Sequence, residues 1–163
     1  MHLRDAARQD WSRLLELNAA SVAELSPLDE PRLRYILALA HSCLVADLDG
    51  EVAGFAIAVA PGTDYDSANY GWFGERCERF LYLDRIAVAA QSRRQGVGAA
   101  LYGAMEAAAA PFGRMVCDVN IAPRNDASLA FHAARGYREV GRLAHGSAKT
   151  VALMSKELAQ AKA

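Results

Sequence analysis

Asp84-Arg85-Ile86-Ala87-Val88 is followed within a few residues by Arg93-Arg94-Gln95-Gly96-Val97-Gly98-Ala99. An apolar strand runs into a short polar loop, a glycine pair and then an alanine-rich helix. The first amides of a helix have no intrahelical acceptor, and the aligned peptide dipoles place partial positive charge there. Glycines let a large anion approach that backbone because no Cβ intervenes. The chemistry this arrangement suits is the holding of a phosphate or pyrophosphate. Spacing excludes two familiar versions. A P-loop needs a lysine after its second glycine, and none follows Gly98; a dinucleotide fingerprint needs a third glycine where Leu101 stands.

What remains is Arg/Gln-x-x-Gly-x-Gly/Ala, satisfied by Arg93, Gly96 and Gly98. A second segment, Asn125-Asp126-Ala127-Ser128-Leu129-Ala130-Phe131-His132-Ala133-Ala134-Arg135-Gly136-Tyr137, reads as a helix ending at Gly136 before a strand. It is similar to Asn-x-x-Ala/Ser-x-x-Phe/Leu-Tyr-x-x-x-Gly-Phe/Tyr. Together the two segments resemble the signatures of the GNAT superfamily of N-acetyltransferases, in an uncharacterised bacterial subgroup. The resemblance implies acetyl-CoA as cofactor and direct transfer of its acetyl group to a primary amine, without a covalent enzyme intermediate. It assigns the pyrophosphate to the amides of residues 94–99 and the pantetheine arm to backbone groups of Ile86 and Val88. By the same resemblance Ile86, Ala87, Val88, Arg93, Arg94, Gln95, Gly96, Val97, Gly98, Ala99, Asn125, Ser128, Phe131 and His132 form the cofactor site.

One position departs from the family. Where a tyrosine commonly protonates the departing thiolate, this chain has His132. A histidine titrates near the working pH and can serve as that acid; it can equally be a packed side chain bonding a backbone carbonyl. The proton of the amine needs an acceptor. Strand alternation puts Glu78, Tyr82 and Asp84 on one face, with Asp84 the foremost candidate and Tyr82 beside it. Asp84 is either that base or the partner of a nearby arginine: burial raises a carboxyl pKa, and an arginine lowers it.

The acceptor site falls to the corner between the first two helices, with Asn18, Glu24 and Ser26, and to the loop Asp64–Phe73, with Tyr65, Asp66, Tyr70 and Trp72. Aromatics with short polar residues on a loop this long form either a ligand wall or a packed Ω-loop. Asn120, after the strand beside the pantetheine gap, is a further candidate. The expected acceptor is a small molecule. The alternatives are a protein or peptide amine, N-terminal or lysine, and a non-catalytic acyl-CoA-binding module.

These residues need elements to carry them. The pattern predicts a strand at 2–7, helices at Asp10–Glu24 and Pro31–Ala40, and strands Ser42–Leu48 and Glu51–Val59 joined by Asp49-Gly50. After a polar, aromatic stretch from Pro61 to Arg79 come strand Phe80–Val88, helix 97–110, strand Met115–Val119, helix 125–135, and strands 137–144 and 149–157. The order β-α-α-β-β-β-α-β-α-β-β implies an α/β protein of the α+β type. Its mixed, twisted sheet of six to seven strands would carry helices on both faces, as one domain over residues 1–163.

Composition bounds the partners. A chain of 163 residues that is 53% hydrophobic can bury a real core, and a net charge of −1 offers no basic field for nucleic acid. Cys43, Cys77 and Cys117 are far apart and odd in number, which reads as free thiols in a reducing compartment. The four histidines, at 2, 41, 132 and 145, are scattered, and no metal site is expected. The N-terminus lacks a signal pattern and no apolar run approaches a membrane span, so a cytoplasmic protein is expected. The alternating strands at the end of the chain and the family resemblance suggest a homodimer.

Overall fold

The computed structural model describes residues 1–159. Seven strands form one sheet in the order β1-β2-β3-β4-β5-β7-β6: β1 His2–Asp5, β2 Ser42–Leu48, β3 Glu51–Val59, β4 Leu81–Val88, β5 Arg114–Ala122, β6 Arg138–His145 and β7 Lys149–Glu157. Five α-helices accompany them: α1 Trp11–Ala20, α2 Glu30–Leu39, α3 Ala68–Gly74, α4 Val97–Ala109 and α5 Asp126–Ala134. The expected mixed sheet with helices on both faces is therefore present.

The sheet divides the apolar side chains into two cores. On one face, Leu14 and Leu17 of α1 and Leu33 and Ile36 of α2 pack with Phe55, Ile57, Tyr82 and Val116. On the other, Val97, Leu101 and Met105 of α4 pack with Leu81, Leu83, Met115 and Cys117, and Leu129 and Phe131 of α5 lie against them. Burying each of these side chains contributes about 2 kcal/mol. Glu106 of α4 fixes α5 in place, accepting hydrogen bonds from Arg135, Tyr137 and, on β7, Lys156.

Two features of the sheet make the site. All neighbouring strands are antiparallel except β4 and β5, which are parallel and pair only at Leu81↔Met115 and Tyr82↔Val116. Beyond those residues the two strands fork. In addition, β3 meets β4 through Ile57↔Arg85 and Ala58↔Leu83, leaving Asp84 as the extra residue of a β-bulge. The bulge breaks the expected period of two, so Asp84 and Arg85 both reach toward the α1–α2 face. Glu78 lies outside the strand.

The first strand ends at Asp5, short of the expected residue 7, and the expected elements change further at three places. The first helix ends at Ala20, and residues 21–25 form turns rather than a continuation to Glu24. The Pro61–Arg79 stretch contains a helix, α3, whose first turn is capped by the Ser67 hydroxyl accepting the Tyr70 amide hydrogen at 3.2 Å. The strand expected to stop at Val119 continues to Ala122, which puts Asn120 within β5. Among the described residues no helix is long and apolar enough to cross a membrane.

Candidate active site

The fork between β4 and β5 opens a cavity of about 830 Å³ that passes through the sheet. Tyr102, Phe131 and His132 line it on the α4–α5 face. Tyr65, Asn69, Tyr82, Asp84, Arg85 and Asp118 line it on the α1–α2 face. Anything spanning the cavity meets a helix N-terminus at one end and carboxylates at the other.

At the first end the loop before α4 is shaped by backbone conformation. Gly96 has φ +80 and precedes Val97, and no side chain caps the helix. A residue with a Cβ is strained in that region, so the turn calls for glycine. The amides of residues 97–99 are thus available to an anion. Gly98 and Arg93 line the cavity; Arg94, Gln95, Gly96, Val97 and Ala99 build the turn and first helical turn behind them. Along the fork, the Ala89 amide donates to Ala53 of β3 at 2.7 Å. Alternation turns the backbone groups of Ala87 toward β3 as well, and those of Ile86 and Val88 into the gap. Both lack a strand partner there.

Across the gap, α5 begins at Asn125, whose side chain accepts the Ser128 amide hydrogen at 3.2 Å. Asn125, Ser128, Phe131 and His132 all line the cavity. His132 is buried and bonded at both nitrogens. Nδ1 lies 2.6 Å from the Ser128 carbonyl oxygen, which can only accept, so Nδ1 carries the ring hydrogen. Nε2 is then the acceptor for the Tyr102 hydroxyl at 2.5 Å. Burial holds the His132 pKa below its ordinary value and that of Tyr102 well above its own. The imidazole is neutral, and the phenol is protonated.

At the acceptor end Asp84 accepts the Tyr65 hydroxyl on one oxygen and Arg85 Nε, at 2.6 Å, on the other. Arg85 also donates to Asn18 Oδ1 at 3.0 Å and to the Ser26 carbonyl at 3.3 Å. Burial works against its charge, but the Asp84 carboxylate outweighs this and keeps Arg85 firmly protonated. The Tyr82 hydroxyl donates to Asp118 Oδ1 at 2.7 Å. Burial pushes the Asp118 carboxyl above the usual carboxylate range.

The expected acceptor residues separate into two groups. Glu24, Ser26, Tyr65, Asp66 and Asn120 line the cavity. Asn18 lies behind it, joining Arg85 to the Ser26 carbonyl. Tyr70 is buried, with its hydroxyl donating to the Ala60 carbonyl at 2.7 Å. Trp72 covers Gly141 of β6, where an added Cβ would collide with the indole ring. The wall itself is braced from α2: Arg32 pairs with Asp66 through contacts of 2.6 and 2.8 Å, and the Asp66 amide donates to the Tyr35 hydroxyl.

Asp118, Tyr102, Asn69 and Lys149 line the cavity and were not singled out from sequence. Two of them carried a signal. Asp118 is the lone acid in Met115-Val116-Cys117-Asp118-Val119, where an unpartnered carboxylate is costly, and Tyr102 is the one aromatic in an alanine-rich helix. Cys117 also lines the cavity, with its thiol pushed well above its ordinary pKa by burial, which leaves it a poor nucleophile. The three cysteines are free. Among the described residues no three His, Cys, Asp or Glu side chains are placed to hold a metal ion.

The sequence pattern of the acetyltransferase (GNAT) family matches residues 5–137. None of the curated proteins matches the sequence. Several solved structures share the fold. Ard1 from Thermoplasma volcanium is 16% identical, with 98% of each chain covered and a TM-score of 0.78. Ribosomal-protein-alanine N-acetyltransferase from Brucella melitensis is 21% identical, covering 97% of this chain and 100% of its own, with a TM-score of 0.72. A phosphinothricin acetyltransferase from Sinorhizobium meliloti, solved with AcCoA, is 24% identical over 97% of this chain and 88% of its own, at 0.70. With the sequence pattern covering most of the chain and the forked sheet carrying its motifs, the protein belongs to the acetyltransferase (GNAT) family, an acyltransferase family that uses acetyl-CoA.

Proposed function

We propose that the protein transfers the acetyl group of acetyl-CoA directly to the primary amine of a small molecule seated at the walled, acidic end of the cavity. The observation that carries this reading is the cavity itself, which joins an uncapped helix N-terminus on one face of the sheet to two carboxylates on the other.

The residues present fit acetyl-CoA. The amides of residues 97–99 with Arg93 would hold its pyrophosphate, and the unpaired backbone groups of Ile86 and Val88 would pair with its pantetheine arm as an added strand does. Asn125, Ser128 and Phe131 would flank that arm. When bound, acetyl-CoA supplies an activated thioester carbonyl and a thiolate leaving group.

The chain's own side chains then divide the proton work by face. Tyr102, kept protonated by burial, is the donor at the sulfur, its hydrogen turning there from His132 Nε2 as the thiolate leaves, and it takes the place of the tyrosine that α5 lacks. His132 is a positioning residue. Its Nδ1 hydrogen is committed to Ser128 and its Nε2 aims the phenol, so the role of acid passes from His132 to Tyr102 in this reading. Asp84, held on one oxygen by Tyr65 and on the other by Arg85, shapes and polarises the acceptor end. Glu24, Asp66 and Asn120 line the space for the rest of the acceptor.

The brace from Arg32 and Tyr35 to the Asp64–Asp66 loop favours a small acceptor over a protein segment, because it closes the wall that a peptide would lie across. The test is incubation with acetyl-CoA and a panel of polyamines, amino acids, arylalkylamines, amino sugars and short peptides, with CoA release and acetylated product followed by chromatography and mass spectrometry. Acetylation of one of the small amines is the expected result. Acetylation of the peptides alone would replace the small acceptor by a protein amine. CoA release with none of them would overturn the reading.

A further inference from the structure

The two carboxylates at the acceptor end are not equivalent. Asp84 has one oxygen on Tyr65 and the other on Arg85, which balances its charge. Asp118 makes no ion pair among the described residues; the Tyr82 hydroxyl donates to its Oδ1, and the Asn69 side chain stands beside the carboxylate. No buried polar side-chain atom among those residues lacks a partner, so Oδ2 opens onto the cavity. The position is also set by the sheet. Asp118 stands two residues beyond Val116, the last β5 residue paired with β4, and on the same face. It therefore sits at the fork, on the acceptor side.

We infer that Asp118, held through Oδ1 by the Tyr82 hydroxyl, is the base that takes a proton from the acceptor amine at Oδ2. The inference rests on the amine acetyltransferase reading above and names a catalytic residue within it. The groups around Asp118 are Tyr82 and Asp84 on β4, Lys149 on β7, and Asn69 on α3, which is itself bonded to His145 of β6 at 2.8 Å. Burial raises the Asp118 pKa, Tyr82 lowers it, Asp84 raises it, and Lys149 and Asn69 lower it; burial prevails. A carboxylate with raised proton affinity is better matched to an ammonium group than an ordinary one.

The reaction balances with this base. The acceptor arrives as an ammonium ion and loses one proton to Asp118 Oδ2, which passes it to solvent. The freed nitrogen lone pair bonds the acetyl carbon as the carbon–sulfur bond breaks, with its electron pair leaving on sulfur. The nitrogen gives up its second proton to Asp118 Oδ2, again deprotonated, and from there to solvent, while solvent returns one proton to Tyr102 in place of the one it gave to sulfur. The products are an amide, CoA thiol and one released proton.

The test combines a titration with kinetics. In protein labelled with 13C at the aspartate side-chain carboxyl, with the Asp118 resonance assigned by its loss in Asp118→Asn, that carboxyl is expected to titrate above the ordinary aspartate range, and higher still in Tyr82→Phe. With the best amine of the panel, kcat/KM should rise with pH through the same midpoint. Asp118→Asn should lower it about 100-fold or more while leaving acetyl-CoA affinity, measured by calorimetry, within about twofold. An ordinary aspartate midpoint, or Asp118→Asn within about threefold of wild type, would overturn the base while leaving the acetyltransferase reading intact. A wild type that binds acetyl-CoA and acetylates no amine would overturn both.

Discussion

The Tyr102 hydroxyl lies 2.5 Å from His132 Nε2, a contact that joins α4 to α5 inside the cavity. The imidazole gives its one hydrogen to the Ser128 carbonyl and accepts that of the phenol on Nε2, so in the proposed reaction the phenol hydrogen turns from Nε2 to the sulfur. Tyr102→Phe keeps the ring, with its edge contacts to Phe131 and Tyr137, and removes the donor. It should lower kcat about 100-fold with acetyl-CoA affinity unchanged. Steady-state kinetics paired with calorimetry checks this; an unchanged kcat would remove Tyr102 from the mechanism.

His132 also makes folding stability depend on pH. Its folded pKa is depressed, so below about 6.5 the unfolded chain takes up a proton that the folded one refuses. Stability from this residue is fully present above that pH and is lost as the pH falls through the folded pKa. Asp118, with a raised pKa, works in the opposite sense, being lost as the pH rises through its folded value. Urea unfolding between about pH 5 and 7.5 should therefore show a smaller acid-side loss in His132→Gln than in wild type. Equal losses would mean that the imidazole is charged in the fold.

Arg85 carries structure as well as charge. It compensates Asp84 and joins β4 to the corner after α1 through Asn18 and the Ser26 carbonyl. Arg85→Met leaves the buried Asp84 carboxylate without its counter-charge and should cost about 3 kcal/mol by denaturant unfolding. Adding Asp84→Asn should recover part of that loss, because the two substitutions act on one pair.

The Trp72 indole covers Gly141, and it is packed edge-on against Phe73 and stacked by Arg76 at 4.0 Å. Gly141→Ala forces a Cβ into that ring and should cost about 2 kcal/mol. In a Trp72→Ala background the same change should cost no more than about 0.5 kcal/mol. Equal costs in the two backgrounds would place the clash elsewhere.

The sequence is informative where one periodic rule governs a segment. The apolar strands β2 and β3 joined at Asp49-Gly50, the Gly96-x-Gly98 turn and the capped α5 follow from local patterns. The misses come where a tertiary effect overrides the local one. The α3 segment Ala-Asn-Tyr-Gly-Trp-Phe-Gly has poor helix propensity and forms because Ser67 caps it and Tyr70 and Phe73 are buried. The bulge at Asp84 cannot be read from alternation, which assumes that it is absent. Asn18 and Tyr70 have the residue types of a ligand wall, but their polar atoms are already committed to Ser26, Arg85 and Ala60. Asp118 and Tyr102 belong to β5 and α4, and only the fork in the sheet brings them to one cavity.

If the N-terminus of α4 and the β4–β5 gap together hold acetyl-CoA, a negative charge placed in the first turn of α4 must oppose binding, and Gly98→Glu supplies it. Gly98 lies in the first helical turn, with the nearest atom to an added Cβ at 3.9 Å. A glutamate there suits the helix dipole and should leave the fold intact, yet it sets a negative charge against the pyrophosphate. Calorimetric titration with acetyl-CoA should give saturable binding to the wild type and a loss of at least about 100-fold in Gly98→Glu, roughly 2.7 kcal/mol. Equal affinity in the two folded proteins, or a wild type that binds no acetyl-CoA, would mean that this helix end and gap do not hold the cofactor.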